Sequence, residues 1–213
     1  MTKKWGPMGW ATLHSIAALF PDAPSPLEIE LLNRWLRAFT ETILCPSCMS
    51  HFEQMVGDYD RSHPGWRTSR RTVCEFVFRA HNTVNVRTQK KIYTLRESVE
   101  ELERVFPAAN VMATRRQYLV YIRSDWMRNM TLSGISSFSK IRELNTIEND
   151  YWGGRVQPEW SELLQFEGGM NVAPLEAAGP SALGATNVPK LVAPSRGFTL
   201  KSVGRIGQLS SLR

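Results

Sequence analysis

The fold is decided by the stretch SPLEIELLNRWLRAF, residues 25–39. Its first four residues combine a capping box, in which Ser25 and Glu28 satisfy each other's backbone N–H groups, with a proline at the first helical position. Large apolar residues then recur at helical spacing on one face: Ile29, Leu32, Trp35, Leu36 and Phe39. The pattern predicts an amphipathic helix that buries this face against other helices.

Helix signals also lie on both sides of this stretch. An apolar segment over residues 8–20 ends at Pro21, which predicts a preceding helix. Pro46 suits the first turn of a third helix. Gly57 is a residue type that commonly ends helices, so we expect this helix to stop there and a polar loop to occupy residues 58–66.

Two more helices are predicted before residue 108. Ser69 can cap the first, whose inner side would carry Val73, Phe76, Val77, Ala80 and Val84. Thr94 and Glu97 form a second capping box, which opens a short helix that Pro107 ends. No stretch alternates strictly enough to require a sheet. The predicted fold class is therefore all-α, a four-helix bundle with a short fifth helix over residues 1–107.

The second half of the chain has a different character. Residues 108–169 are predicted to form a mainly helical extension. Its large apolar side chains Trp126, Trp152 and Trp160 indicate that part of it is packed. Residues 170–213 are rich in Ala, Gly, Pro, Ser and Val and are predicted to be an extended or flexible tail. All three cysteines and all four histidines precede residue 108, so we expect redox or metal chemistry in the first half.

Composition excludes several classes of protein. A chain of 213 residues that is 42% hydrophobic can bury a core as one large or two small domains. The net charge of +6 is spread too diffusely to predict nucleic-acid binding. No apolar run approaches the roughly 20 residues of a membrane span. The first seven residues lack the features of a secretory signal, and three cysteines are too few for a disulfide scaffold. We expect none of these classes.

The sharpest chemical signal is Cys45-Pro46-Ser47-Cys48. Two cysteines three positions apart can close a disulfide across one helical turn, and the positive end of a helix favours the thiolate over the thiol. The same pair could instead be half of a zinc site completed by Cys74 or by histidines such as His51, or two inert thiols. Both flanks are helical, so a thioredoxin-like βαβ setting is disfavoured. This motif alone does not decide between a redox role and a metal-binding role for the two cysteines.

A second cluster is His81-Asn82-Thr83-Val84-Asn85. His81 and Asn85 lie one turn apart on the same helical face, and Asn82 lies beside them. The segment is either a solvated face with a satisfied histidine or a polar wall with fixed partners. Three cations follow it: Arg87, Lys90 and Lys91. They either compensate the helix dipole or clamp a diphosphate.

A third cluster lies near the start of the chain, in Trp5-Gly6-Pro7-Met8-Gly9-Trp10-Ala11-Thr12-Leu13-His14. Trp10 and His14 are one helical turn apart. They could form a wall against a planar ligand, or they could be a core tryptophan and a buried histidine. The cluster alone does not decide between these two interpretations.

In this order and spacing, the clusters resemble the Erv/ALR family of FAD-linked sulfhydryl oxidases. The resemblance covers about residues 5–107. It consists of Trp5-Gly6-x-x-x-Trp10-x-x-Leu13-His14, Cys45-x-x-Cys48-x-x-His51-Phe52, Ser69-Arg70, His81-Asn82-x-Val84-Asn85 and Lys90-x-x-Tyr93. It implies the same four-helix bundle with a short fifth helix, with FAD bound at one end beside the cysteine pair.

The resemblance also implies an activity. Dithiol proteins would attack Cys45, the outer cysteine, and Cys48 would pass the electrons to FAD and then to O₂, giving H₂O₂. The family positions that surround FAD match Gly6, Trp10, His14, His81, Asn82, Val84, Asn85, Lys90 and Tyr93. Arg87 and Lys91 are added to this set because of their charge. No metal site is expected.

Two departures from the family pattern concern cysteine. No cysteine follows Cys74, so the pair that staples the short helix in many members is missing, and no second CxxC can shuttle electrons. We therefore expect substrates to reach Cys45 directly or through a thioredoxin-like relay protein. Cys74 itself is interpreted as a buried apolar residue, with an intermolecular disulfide as the alternative.

The remaining expectations concern partners and location. The opening Trp-Gly-Pro, the missing staple and the C-terminal extension resemble members encoded by large DNA viruses, which implies the host cytoplasm or the virion. A mitochondrial intermembrane-space enzyme is the alternative. The resemblance implies a homodimer through the first two helices, where exposed faces of residues 27–39 could serve. Two rival functions stay open: a zinc-stabilised interaction module, and a structural virion protein without turnover.

Overall fold

The structure, a computed structural model, describes residues 2–128 and 134–175 of the chain. Within these ranges the secondary structure is entirely helical, as predicted. The α-helices are α1 (Thr2–Leu19), α2 (Pro26–Glu41), α3 (Pro46–Ser62), α4 (Arg70–Arg87), α5 (Leu95–Val105), α6 (Ala108–Arg128) and α7 (Gly134–Asp150). Short 3₁₀ helices lie at Trp66–Thr68, Trp152–Gly154 and Trp160–Phe166. None of these helices combines the length and the apolar character that crossing a membrane requires.

The predicted helix starts are confirmed because local side chains satisfy the first backbone N–H groups. Ser25 Oγ accepts from the Glu28 N–H, and Glu28 accepts from the Ser25 N–H, which completes the capping box of α2. Thr94 and Glu97 form the equivalent box at α5. The Ser69 hydroxyl accepts from the Thr72 N–H at the start of α4.

The predicted end of α3 at Gly57 is wrong, since the helix continues to Ser62. Most of the expected loop over residues 58–66 is therefore helical. Tyr59 is buried, and its ring packs edge-on against Trp66 at a centroid distance of 5.5 Å. Gly57 stays helical because this packing holds the next turn. The chain reverses instead at Gly65, which adopts the left-handed backbone (φ 83°) that glycine tolerates.

Helix α1 is the centre of the molecule. All residues from 11 to 20 are buried, because α4 packs on one side of α1 and α6 on another. The approach of α6 is close at Gly9, where an added Cβ would lie 3.3 Å from Cε2 of Tyr118. Helix α7 packs against both α2 and α6. The extension therefore lies directly on the first two helices of the predicted bundle.

The tryptophans of the extension pack as predicted. Trp152 and Trp160 are completely buried, and the Trp160 indole donates to the Phe106 carbonyl at 2.8 Å. The half-buried Trp126 donates to the carbonyl of Thr42 at 3.2 Å. Of the predicted tail, residues 170–175 lie against α4, whereas 176–213 fall outside the described residues. The division into units 1–107, 108–169 and 170–213 stays a prediction.

A buried ion pair joins the extension to α1. The guanidinium of Arg115 on α6 binds both carboxylate oxygens of Glu148 on α7 at 2.9 and 3.0 Å, with side-chain exposures of only 1% and 4%. It also donates to Ser15 Oγ on α1 at 2.7 Å, and Ser15 donates to Gln157 at 2.6 Å. Three helices and the segment after Trp152–Gly154 therefore meet at one polar cluster inside the core.

Gly153 is a position where this packing leaves no room for a side chain. A Cβ there would lie 2.8 Å from the Glu148 carbonyl oxygen, which is backbone and cannot swing away. We expect Gly153→Ala to lower the free energy of unfolding by about 1–3 kcal/mol, measured by chemical denaturation. Its neighbour Gly154 supplies the control, because a Cβ there meets nothing within 4 Å. Equal stabilities of the two alanine variants would contradict the prediction.

Candidate active site

The cysteine pair forms a disulfide at the start of α3. Cys45 is the N-cap residue, and its Cα lies 5.1 Å from that of Cys48, within the usual range for a disulfide. The Cys48 N–H points at Cys45 Sγ at 3.3 Å. Both cysteines are half-buried, but Cys48 packs against the core, whereas the contact of Cys45 Sγ with Ser47 Oγ (3.3 Å) is exposed.

An aromatic wall joins α1 to α4 and contacts α3, the helix that begins at this disulfide. The rings of Trp10 and His81 are stacked, with centroids 4.2 Å apart and an interplanar angle of 5°. Phe52, one turn after Cys48 on α3, meets the Trp10 ring edge-on at 6.3 Å. The first turn of α3 is in this way connected to the Trp10–His81 stack through a single aromatic side chain.

The buried His14 and the half-buried His81 of this wall share one hydrogen bond. His14 Nε2 and His81 Nδ1 lie 3.0 Å apart, so one nitrogen carries the proton and the other accepts it. Burial lowers the pKa of His81 to about 4, and the charge of Lys90 acts in the same direction. Burial also holds the pKa of His14 well below its usual value, with His81 as the second cause. Both rings are therefore neutral at pH 7.

This neutrality predicts a stability that depends on pH. The unfolded chain protonates His81 near pH 6.5 but the folded chain only near pH 4, so stability is complete above pH 6.5 and is lost as the pH falls. Between pH 7 and pH 5 the free energy of unfolding should fall by about 2 kcal/mol from this residue. Denaturation of His81→Phe, which keeps an aromatic ring, should show a shallower dependence over this window.

The same comparison above pH 7 is the control. There both states hold the ring neutral, so the two proteins should show parallel stabilities. The window lies above the ordinary pKa of Asp and Glu, and both proteins share the same carboxyl groups, so the difference between their slopes reports His81. Identical slopes for the two proteins between pH 7 and pH 5 would contradict the burial argument.

Asn82 occupies the centre of a second network. It is 3% exposed, and its amide nitrogen donates to the carbonyls of Tyr93 and Val172, both at 2.8 Å. Its Oδ1 accepts from the Tyr93 N–H at 3.0 Å and lies 3.5 Å from the amide nitrogen of the buried Asn85. Asn82 thus binds the loop between α4 and α5, and a segment of the extension, to one side of α4.

The predicted cations lie around the end of α4. Arg87 and Lys90 are exposed, and the Lys90 N–H donates to the Asn85 carbonyl at 2.8 Å. Lys91 pairs with Glu97 at 2.8 Å and lies 5.1 Å above the Tyr93 ring. Its charge is therefore already balanced by a carboxylate, which weakens its assignment to a phosphate clamp.

The other predicted residues have simpler surroundings. Val84 is half-buried and packs against the core. Gly6 is half-buried on α1, where an added Cβ would meet nothing within 4 Å, so space is left beside its backbone. His51 is half-buried, and burial together with the charge of Arg87 lowers its pKa. His51 is thus connected electrostatically to the end of α4.

Two residues of the candidate site, Phe52 and Val172, were not predicted from the sequence. Phe52 belonged to a quoted motif but had no role, although its contact with Trp10 connects α3 to the wall. Its position one turn after Cys48 is a signal that could have found it. Val172 carried no signal, because Asn82 recognises its backbone carbonyl rather than its side chain.

A helical bundle with a disulfide at the start of a helix defines a protein of thiol–disulfide chemistry. Comparison with known proteins identifies the family within this class. The model of the Erv1/Alr family matches residues 7–104. The FAD-linked sulfhydryl oxidase of African swine fever virus is 32% identical over 93 residues, which are 44% of this chain and 75% of the viral protein. The chain belongs to the Erv1/Alr family.

Two cellular relatives match the same half. ERV2, a FAD-linked sulfhydryl oxidase of Saccharomyces cerevisiae, is 30% identical over 101 residues, 47% of this chain and 50% of the yeast protein. The mitochondrial FAD-linked sulfhydryl oxidase erv1 of Schizosaccharomyces pombe is 32% identical over 84 residues, 39% of this chain and 45% of its own length. The chain thus spans about half the length of these cellular relatives.

Proposed function

We propose that the protein is a FAD-dependent thiol oxidase that forms disulfides in protein substrates and passes the electrons to O₂, giving H₂O₂. The observation that carries the proposal is the Cys45–Cys48 disulfide at the N-terminus of α3, the helix whose Phe52 contacts Trp10 of the Trp10–His81 stack. Membership of the Erv1/Alr family supports it, since the relatives described above are named FAD-linked sulfhydryl oxidases.

The side chains at this end of the bundle suit FAD. The Trp10 and His81 rings contact each other face to face at 4.2 Å, so a planar ring system would lie against the outside of this stack, where neutral histidines place no charge against it. The exposed cations Arg87 and Lys90 suit the two phosphates. We assign the binding of FAD to Gly6, Trp10, His14, His81, Val84, Asn85, Lys90 and Tyr93. The buried Asn82 belongs to the same site but donates both of its N–H groups to backbone carbonyls. When bound, FAD supplies a two-electron acceptor that O₂ can reoxidise.

The chain's own part of the reaction is thiol–disulfide exchange. A substrate thiolate attacks Cys45 Sγ, the bond to Cys48 Sγ breaks, and Cys48 leaves as a thiolate near the positive end of α3. The second thiol of the substrate then attacks the substrate-side sulfur of the mixed disulfide. This step releases the oxidised substrate and leaves both cysteines reduced. The exposed side of Cys45 and the core-facing side of Cys48 support this order of attack.

The proposal is tested by the ultraviolet-visible spectrum of freshly purified protein, recorded before and after dithiothreitol is added in air. We expect a band near 450 nm from bound flavin that bleaches with the dithiol and returns as oxygen is consumed. A colourless protein that contains stoichiometric zinc would support the interaction module instead. A yellow protein that consumes no oxygen in an electrode would support the structural role.

The zinc alternative has less support than the oxidase. Both cysteines of the pair are joined to each other, so neither supplies a free thiolate for a metal. In the part of the chain that the structure describes, no three side chains of the metal-binding types gather at one place. The oxidase therefore stays the leading proposal.

Partners and location complete the proposal. We infer that the substrates are dithiol proteins or a thioredoxin-like relay. The viral relative supports a site of action in the host cytoplasm or the virion, and the mitochondrial relative keeps the intermembrane space as the alternative. Mass spectrometry of purified virions would separate these locations.

A homodimer is also part of the proposal. Within this chain α6 lies on α1 and α7 lies on α2, so a partner would have to use the remaining surface of α2, where Leu27 is 75% exposed. Light scattering should then give twice the 24.2 kDa of one chain. A single-chain mass would overturn the dimer.

A further inference from the structure

A short segment of the extension lies along α4, next to the proposed cofactor site. We call residues 169–175 the strap. Four hydrogen bonds hold it: Arg71 donates to the Gly169 carbonyl, Asn82 to the Val172 carbonyl (2.8 Å), Arg79 to the Ala173 carbonyl (3.2 Å), and the Leu175 N–H donates to Thr83 Oγ1 (2.8 Å). Met170, Val172 and Leu175 pack against the core. The strap is thus fixed along several turns of α4.

Asn82 connects this strap to the site. An asparagine amide has two N–H donors, and here both are used, one on the Tyr93 carbonyl and one on the Val172 carbonyl. Its oxygen already accepts from the Tyr93 N–H and lies near the Asn85 amide. The buried Asn82 amide is therefore saturated by the protein and has no N–H left for a ligand.

We propose that Asn82 is a positioning residue, and that the strap it holds is a structural part of the cofactor site. This inference rests on the proposed function. Asn82 fixes the backbone of Tyr93, a residue assigned to FAD, and lies beside Asn85, which is also assigned to FAD; the Val172 carbonyl completes its hydrogen bonds. Without the strap, a buried N–H would lose its acceptor, which is costly, and the amide would turn towards another partner. The Tyr93 loop would then lose its anchor.

The strap lies outside the region that matches the family. The family model ends at residue 104, whereas the strap begins 65 positions later, at residue 169. The extension therefore contributes to the site through backbone groups that approach α4. In this chain, the loss of the strap would leave one N–H of Asn82 without its acceptor.

The inference is tested with full-length variants that loosen the strap without changing a residue assigned to FAD. Thr83→Val removes the acceptor of the Leu175 N–H. Asn171→Ala removes the side-chain oxygen that accepts from the Ala173 N–H at 2.9 Å. The control is Thr88→Val on the same helix, because the Thr88 hydroxyl binds only carbonyls of α4 itself, at Val84 and Asn85.

The readout is the rate at which FAD dissociates, followed by its fluorescence, together with the unfolding temperature from circular dichroism. Thr83→Val and Asn171→Ala should each release FAD about 5-fold faster than the wild type, the effect of one lost hydrogen bond. Thr88→Val should match the wild type. A merely structural role would lower the unfolding temperature and leave FAD release, measured well below that temperature, unchanged.

Asn82→Asp provides a stronger change at similar volume. It replaces both donors by a carboxylate facing two carbonyl oxygens, and should release FAD roughly tenfold faster or more. Wild-type rates in all three variants, Thr83→Val, Asn171→Ala and Asn82→Asp, would overturn the role of the strap while leaving the oxidase proposal intact. A wild-type protein that purifies without FAD and does not bind added FAD would overturn both.

Discussion

Cys48→Ser should lose thiol-oxidase turnover by at least about 10³-fold while keeping its bound FAD. The loss is large because no disulfide can form at the start of α3, and removing an essential nucleophile typically slows an enzyme on this scale. The cofactor should remain because Trp10, His14 and His81 do not depend on the disulfide for their contacts with each other. Oxygen consumption with a dithiol and the flavin absorbance measure the two effects separately.

Cys74→Ala is the matched control for this variant. Cys74 is 1% exposed, and burial raises the pKa of its thiol to about 12, so it supplies no thiolate at neutral pH. Its burial agrees with the interpretation as an apolar residue. Turnover should survive in Cys74→Ala. Normal turnover in Cys48→Ser would refute the assignment of the redox pair.

The two cysteines of the pair should also differ in accessibility. In Cys48→Ser the remaining thiol is the outer Cys45, whereas in Cys45→Ser it is Cys48, which packs against the core. A disulfide reagent such as dithiobis(nitrobenzoate) should therefore react faster with Cys48→Ser than with Cys45→Ser. If Cys45→Ser reacted faster, Cys48 would be the outer cysteine and Cys45 the inner one.

Arg115→Met should lower the free energy of unfolding by about 3–5 kcal/mol. It leaves the Glu148 carboxylate buried without its partner, and a buried charge without compensation is strongly destabilising. Glu148→Gln should act in the same direction, because it leaves the guanidinium unbalanced. Chemical denaturation followed by circular dichroism measures both variants.

Two further proteins sharpen this test. The double variant Arg115→Met/Glu148→Leu removes both charges and should recover most of the lost stability. Arg34→Met breaks another arginine–glutamate pair to α7, with Glu143 at 2.9 Å, but that arginine is half-exposed and the change should be far smaller. If Arg34→Met and Arg115→Met destabilise equally, the buried pair has no special role.

The Arg115 cluster also contacts the part of α1 that carries His14 of the candidate site. Arg115 donates to Ser15, which is adjacent to His14 on α1. Breaking the cluster should therefore loosen the support behind the histidine pair as well as the contact between α1 and the extension. Faster FAD release from the Arg115 variants would report this second effect.

Helix starts could be predicted because capping is local chemistry. Ser25 and Glu28, or Thr94 and Glu97, complete their hydrogen bonds within four residues, whatever the rest of the chain does. The end of α3 could not be predicted in this way. Gly57 is a local stop signal, but the burial of Tyr59 against Trp66, a tertiary contact, extends the helix past it.

The motifs predicted which residues belong to the candidate site but not which of them contact each other. His14 and His81 are 67 positions apart, and their hydrogen bond exists only because α4 packs on α1. The lowered pKa of each ring follows from that burial. The packing of the extension against α1 could not be predicted either. In the sequence Arg115 and Glu148 resemble ordinary surface charges, and only the packing of α6 and α7 buries them.

The amino-acid sequence by itself determined the helical class, the redox pair and the family, since these depend on local spacing and on side-chain chemistry. Only the folded chain brings His14 to His81 and residues 169–175 to α4. The physical reason is clearest at the strap. It is held mainly through the carbonyls of Gly169, Val172 and Ala173 and one backbone N–H, groups that every ordinary residue possesses and that leave no mark on a sequence.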